Sequence, residues 1–210
     1  ADLNRVKSAT DANEKEIFGY LQDIATHTYS LKVDALNKAK LEALLKDSST
    51  TPFGKKAILR VLLTSFGGTQ DLVPVVACLK SNETRDWAAT LLAGTPGTAA
   101  DKALVQALST ADSELRCTLI NALAIRKSSS AIVPYAADTD TLVATAALAA
   151  LGRIGDADAL QVLVKPAAPA LEDTRISALA ACIGTLAEGR KGRVALRVAQ
   201  PLFANPATRS

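Results

Sequence analysis

The stretch ATAALAALGRIGDADALQVLV, residues 144–164, decides the fold of this chain. Its first half has apolar residues three, four and seven positions after Ala144, which is the spacing of one buried helix face. GRIG then interrupts the pattern, and Asp156 is a residue type that often caps the start of a helix. A second apolar segment follows. The stretch therefore predicts two helices joined by a corner at GRIGD, in which Gly152 and Gly155 let the chain turn.

The helical pattern of this stretch recurs along the chain. Five segments begin 31, 31, 28 and 31 residues apart, at Gly54, Arg85, Arg116, Ala144 and Arg175. Three, four and seven positions after each start, all residues are apolar. They are Ala57, Ile58, Val61, Ala88, Ala89, Leu92, Leu119, Ile120, Leu123, Ala147, Leu148, Leu151, Ala178, Leu179 and Cys182. A helix pair of this length cannot bury its apolar face alone, so neighbouring pairs must stack.

A break and a second short apolar segment follow each of the first four helices. The breaks are SFGG, AGTPG, RKSSS and GRIGD, and the second segments are QDLVPVVACL, DKALVQAL, SAIVPYAAD and DADALQVLV. A phosphate-holding loop would need one particular glycine spacing at a strand-to-helix turn. Here different small or flexible residues serve at the same place, which favours a helix corner. We therefore expect an all-α fold, an α-solenoid of about five helix pairs.

The unit resembles the HEAT-like repeat of bacterial proteins, whose first helix ends in ALG-x-IG before an Asp and a second helix. The matching residues of the fourth unit are Ala150, Leu151, Gly152, Ile154, Gly155 and Asp156. The resemblance covers about residues 52–187 and implies a right-handed, HEAT/armadillo-like superhelix. The order of units is also similar to HEAT arrays in secreted or envelope proteins of planctomycete-like and verrucomicrobial bacteria. There the array is often joined to haem-binding or sugar-processing domains, which implies an accessory role and a periplasmic or secreted location.

The flanks of the repeats differ from them in pattern. Residues 1–50 predict an N-terminal helical cap with helices at EKEIFGYLQDIATH and LKVDALNKAKLEALLK, and the repeats occupy residues 51–187. The approximate limits of the repeats are 51–83, 84–112, 113–140, 141–170 and 171–187 onward. Residues 188–210 predict a basic C-terminal helix and tail that complete the last repeat.

Composition supports a helical protein and restricts its partners. The chain is 49% apolar and only 4% aromatic, and its net charge of +3 is too small to steer the whole molecule to a polyanion. No apolar run reaches the roughly 18–20 residues of a membrane span, so we expect no membrane insertion. The absence of methionine indicates a processed mature protein or a segment of a larger one.

Candidate catalytic and metal-binding groups are few. His27 is the only histidine, and Cys78, Cys117 and Cys182 match no metal or redox spacing. We interpret the cysteines as small apolar residues on helices, with a disulfide or a reactive thiol as the alternative. Asp156 could pair with Asp158 as general acid and base, but capping charges at a helix start explain both. We therefore expect no enzyme activity, no metal and no cofactor.

Three arginines begin repeat helices close to acidic residues. Arg85, Arg116 and Arg175 could display cations to an anionic partner, or each could bridge to an acid of its own or the next unit. We favour bridging, which would hold the stacking angle. Because the fourth unit has Ala144 at this position, the series should be interrupted there.

The remaining side chains of interest suggest how the chain recognises a partner. Trp87 lies opposite the buried stripe, and we expect it to pack against a neighbouring helix or a long side chain, with an anchor for a protein partner as the alternative. Tyr135 belongs to the second segment of the third unit, and we expect the second helices to line the inner, binding side. A basic cluster near the C-terminus consists of Arg190, Lys191, Arg193 and Arg197. A solvated last helix is the simpler explanation, and binding to a phosphate backbone or an anionic membrane surface is the alternative. We predict a protein-interaction scaffold, with nucleic-acid binding through the basic cluster as the alternative.

Overall fold

The computed structural model describes residues 4–26, 31–188 and 193, and these residues contain helices and turns but no strand. The all-α, HEAT-like solenoid expected from the sequence is confirmed. The chain divides into two compact units, Ala1–Thr110 and Ala111–Ser210. No helix among the described residues is long and apolar enough to cross a membrane.

The first unit consists of helices stacked in sequence order. They are α1 (Asn4–Lys7), a short 3-10 helix (Asp11–Asn13), α2 (Glu14–Thr26), α3 (Leu31–Lys46), α4 (Pro52–Thr64), α5 (Val73–Cys78), α6 (Arg85–Gly94) and α7 (Thr98–Thr110). α4 packs between α2 and α6, while α3 packs on α5 and α7 on α6. The pair α2–α3 therefore stacks on the pair α4–α5 as one repeat stacks on the next.

The second unit has the same internal arrangement. Its helices are α8 (Ser113–Ile125), α9 (Ser129–Ile132), a 3-10 helix (Val133–Ala137), α10 (Thr141–Ile154), α11 (Ala157–Leu163), a 3-10 helix (Pro169–Leu171) and α12 (Glu172–Leu186). α10 packs between α8 and α12, and α11 packs on α9, α10 and α12. The first helices of the repeats thus form one layer of this unit and the second helices another.

The repeated apolar stripe forms the core of both units. All the side chains that the spacing predicted to be buried are buried, and none of them is more than 7% exposed. Removal of this apolar surface from water is the main favourable contribution to folding. The periodicity in the sequence is therefore the pattern of burial in the structure.

Proline shapes the second segments of the first and third repeats, where the α-helix is shorter than the predicted apolar segment. Pro74 is the second residue of α5, where a missing N–H costs little, and α5 has only six residues. Pro134 follows α9 and lies in the 3-10 helix Val133–Ala137. The third repeat therefore has a second element of mixed geometry.

The predicted N-terminal helices are present as α2 and α3, and they are preceded by α1, which was not predicted. His27 lies outside the described residues. So does the predicted C-terminal helix, except Arg193, whose side chain is exposed.

Candidate functional site

The GRIGD corner between α10 and α11 is a structural connection. Gly155 ends α10 in the left-handed conformation, with φ of 62°, which glycine adopts at little cost. Asp156 Oδ1 accepts the N–H of Ala159 at 2.8 Å and so caps α11. Asp156 Oδ2 accepts the Ser129 hydroxyl at 2.6 Å. Both carboxylate oxygens are bound to protein groups, which explains the corner without a ligand.

The prediction that Gly152 also turns the chain is wrong. Gly152 lies inside α10 and is buried. A Cβ atom at this position would be 2.7 Å from the carbonyl oxygen of Ala178, a residue of α12. Gly152 therefore serves packing, because its missing side chain lets α10 and α12 approach closely.

Serine–aspartate bonds connect successive repeats of the second unit. Besides the bond from Ser129 to Asp156, the Ser113 hydroxyl donates to Asp140 Oδ2, and Asp140 Oδ1 accepts the N–H of Leu142 at 2.9 Å. The Ser113 hydroxyl, followed by the Leu142 N–H, lowers the pKa of Asp140. The serine precedes the aspartate by 27 residues in both pairs. Each bond therefore joins the start of one helix to the start of the corresponding helix in the next repeat.

The arginines that begin repeat helices face the protein interior. Arg85 is 9% exposed and Arg175 is 8% exposed. Arg175 donates to Glu172 from Nε at 2.9 Å and from Nη2 at 2.5 Å, and its Nη1 donates to the Leu163 carbonyl at 2.6 Å. Since Leu163 ends α11, Arg175 ties α11 to α12. This arrangement agrees with bridging rather than with a displayed row of cations.

Arg116 also lies close to an acidic residue. Arg116 Nη1 lies 3.7 Å from Asp138 Oδ2, within its own repeat. The carboxylate that pairs with Arg175 is Glu172, whereas the neighbouring Asp173 is exposed. Hydrogen bonds from Arg175 and then from the Ala167 N–H lower the pKa of Glu172 to about 2. The fourth repeat has the buried Ala144 instead, so the series is interrupted there.

Trp87 packs against a long side chain. The Arg60 guanidinium carbon lies 5.6 Å from the centroid of the Trp87 ring and 3.6 Å from that of Phe18. These residues belong to α6, α4 and α2, so one arginine connects three stacked helices through cation–π contacts. Trp87 is half-buried, and part of its ring therefore faces solvent.

The other predicted binding residues lie elsewhere in the chain. Tyr135 is half-buried in the 3-10 helix Val133–Ala137. Arg193 is exposed, and Arg190 and Lys191 lie outside the described residues. Trp87 belongs to the first compact unit, whereas Tyr135 and Arg193 belong to the second. The binding roles of Trp87, Tyr135 and Arg193 stay predictions.

The cysteines occupy helix positions as free thiols. Cys78 and Cys182 are buried and Cys117 is half-buried. Burial, and secondarily Asp156, raises the pKa of Cys182 to about 11, so its thiol keeps its proton at neutral pH. Within residues 4–26, 31–188 and 193, no cluster of three or more His, Cys, Asp or Glu side chains could hold a metal ion.

A cleft that the sequence did not predict lies between the end of α3, the start of α4 and α5. We call it the Lys55 cleft, and its volume is about 560 Å³. Its lining residues are Leu45, Lys46, Ser48, Thr50, Pro52, Lys55, Val73, Pro74, Ala77, Cys78, Ser81 and Thr84. These residues are spread over 40 positions of the sequence, so only the fold brings them together.

Comparison with known families agrees with the stacked helix pairs of the fold. A family model described as HEAT repeats matches residues 102–184. No curated protein matches the chain. The family match and the all-helical fold together support a HEAT-like repeat protein.

Proposed function

We propose that this chain is a non-catalytic protein-interaction scaffold. HEAT repeats commonly serve as protein-interaction scaffolds, and residues 102–184 match them. The residues that looked most like a site have structural partners: Asp156 caps α11, and Arg175 bridges α11 and α12. The use of these polar groups inside the stack is the observation that carries the proposal.

Exposed apolar side chains on the stacked helices give a partner protein something to bury. In the second unit, Ile125 of α8 and Leu142 of α10 are each 67% exposed, and Ile176 of α12 is 50% exposed. Each first helix of this unit thus presents one large apolar side chain to solvent. A partner that covers them gains about 1.5–3 kcal/mol for each fully buried side chain.

We further propose that the array is an accessory part of a larger protein or complex, outside the cytoplasm. The support is the resemblance of the repeat order to HEAT arrays of secreted or envelope proteins. The partner is then a neighbouring domain of the parent chain or a separate protein. The complete open reading frame tests this proposal. A secretion signal and an adjoining haem-binding or sugar-processing domain are expected, and a frame containing only cytoplasmic domains would oppose it.

Nucleic-acid binding is the second candidate. The basic cluster Arg190, Lys191, Arg193 and Arg197 favours it, because clustered cations release counterions from a phosphate backbone. Fluorescence anisotropy with a labelled random-sequence DNA duplex, measured from about 50 to 200 mM salt, separates the candidates. The scaffold proposal expects weak DNA binding that does not depend on Arg190, Lys191 and Arg193. Tight binding that falls steeply with salt and is lost in the triple variant R190A/K191A/R193A would instead establish the alternative.

A further inference from the structure

The Lys55 cleft combines one available cation with apolar walls. Among the residues that the structure describes, no carboxylate forms an ion pair with Lys55, whereas Lys46 Nζ lies 2.5 Å from Asp71 Oδ2. No acidic residue lines the cleft. Burial raises the pKa of the Cys78 thiol, and the nearby Lys55 ammonium opposes this rise. Lys55 therefore acts electrostatically on a residue in the wall of the cleft.

The opposite wall of the cleft is apolar and reaches the surface. Val73, the first residue of α5, is 76% exposed, and Pro74 and Ala77 continue the wall towards Cys78. A partner that covers an exposed valine removes apolar surface from water, which stabilises the complex. Because this wall is open to solvent, the cleft suits a chain segment that lies across it better than a fully enclosed small molecule.

Most hydroxyl groups of the cleft already have partners. The Thr50 hydroxyl donates to the Leu44 carbonyl at 2.7 Å, and the Thr84 hydroxyl donates to the Cys78 carbonyl at 2.7 Å. Ser81 donates to Glu83 Oε2 at 3.3 Å. Their hydrogen atoms are therefore used within the protein. The Lys55 ammonium is the strongest donor that remains for a ligand.

We propose that the Lys55 cleft binds an acidic peptide segment of a protein partner, with a carboxylate side chain at Lys55 and an adjacent apolar side chain on the Val73 wall. This inference rests on the proposed scaffold function and identifies the chemistry of one partner segment. A carboxylate pairs with an ammonium through charge-assisted hydrogen bonds. A nucleic-acid backbone fits less well, since it requires several cations and Asp71 already occupies Lys46.

Selection of random dodecapeptides displayed on phage, with the full chain as bait, tests this inference. The selected peptides should be enriched in Asp or Glu beside an apolar residue. The best peptide is then synthesised with blocked ends, and its affinity is measured by fluorescence anisotropy. Copies with Asn or Gln replacing the acids, and with a free C-terminal carboxylate, distinguish side-chain recognition from recognition of a chain end. If the cleft binds only the peptide with a free C-terminal carboxylate, the ligand is a chain end, and the proposed recognition of an acidic side chain is contradicted.

Two cleft variants and two matched controls locate the binding. Lys55→Gln removes the cation and should weaken peptide affinity roughly tenfold, as expected for one charge-assisted pair. Val73→Asp places a negative charge at the rim of the cleft. Because this charge repels the acidic peptide, the affinity should fall at least as much. Lys80→Gln removes an exposed lysine outside the cleft, and Thr98→Asp adds the same charge at the first residue of α7. Both controls should bind as the wild type does.

The outcomes separate this inference from the proposed function. A peptide set without acidic enrichment, no selected peptide, or equal affinity for wild type and Lys55→Gln would each overturn the cleft assignment. None of these results bears on whether a whole partner protein binds the chain. Circular dichroism of each variant excludes unfolding as the cause of lost binding, because Lys55 is half-exposed and Val73 largely exposed.

Discussion

Gly152 of α10 lies against the backbone of Ala178 in α12, so closely that a Cβ atom on Gly152 would be 2.8 Å from the Ala178 Cα atom. Ala178 is itself one of the buried stripe residues, 5% exposed. The close approach therefore joins the cores of two successive repeats. It gives Gly152 a role in stacking that no local pattern required.

Gly152→Ala should destabilise the protein, although alanine is the better helix former. Overpacking costs about 1–3 kcal/mol, and we expect the upper part of this range because two backbone atoms of Ala178 lie within 2.8 Å of the added Cβ atom. This loss exceeds the roughly 1 kcal/mol gained in helix propensity. Gly184→Ala is the matched control, because no atom lies within 4 Å of the position a Cβ would take there. Urea unfolding measures both changes. Equal stability of the two variants would contradict the stacking role of Gly152.

Asp156→Ala should cost about 0.5–2 kcal/mol, the usual value of a helix N-cap, and more if the Ser129 hydroxyl is left without its acceptor. Asp158→Ala is the control, since Asp158 is an exposed residue in the first turn of the same helix. Its removal should cost only the weaker interaction with the helix dipole. Thermal unfolding of both variants gives the comparison, and a larger loss in Asp158→Ala would refute the capping assignment.

Glu172 should make stability depend on pH in the acid range. Its pKa in the folded protein is about 2, below the usual glutamate pKa of 4.5, so its contribution to stability is complete above pH 4.5 and is lost as the pH falls towards 2. Glu172→Gln lacks this titration. The difference in unfolding free energy between wild type and variant should therefore shrink from pH 6 to pH 2.5. A difference that is constant or grows over this interval would show that the ion pair with Arg175 does not stabilise the fold.

The only tryptophan of the chain reports on the stack around Arg60. Arg60→Ala uncovers one face of Trp87, so the tryptophan emission should shift to longer wavelength. Stability should fall by about 0.5–1 kcal/mol or somewhat more, the range of a partly exposed cation–π contact. Arg153→Ala, which removes an exposed arginine of the second unit, should leave the emission unchanged. An unshifted spectrum in Arg60→Ala would mean that the guanidinium does not cover the ring.

Local patterns predicted the helices and their buried faces because these depend on residues three or four positions apart. The stripe from Ala57 to Cys182 and the cap at Asp156 are of this kind. The role of Gly152 was misjudged because it depends on Ala178, which lies 26 positions later in the sequence. A glycine beside a break is equally compatible with a turn and with close packing.

Longer-range contacts explain what sequence reasoning missed. α1 has only four residues, and it packs on α4. Just after α1, the Ala9 carbonyl accepts a hydrogen bond of 2.7 Å from the hydroxyl of Thr51, the N-cap of α4. The Lys55 cleft is formed by three helices. Its residues are distinguished by the solvent-exposed Val73 and by Lys55, which has no carboxylate partner among the described residues. Neither feature is visible without the fold.

Reconstitution with a purified partner tests the scaffold proposal most directly. Chemical crosslinking in the native host identifies a protein neighbour, and biolayer interferometry then measures its affinity for the purified chain. We predict direct 1:1 binding that survives in R190A/K191A/R193A and weakens in Trp87→Ala or Tyr135→Ala. Binding only to DNA, lost in the triple variant and with no protein partner reconstituted, would contradict the proposal.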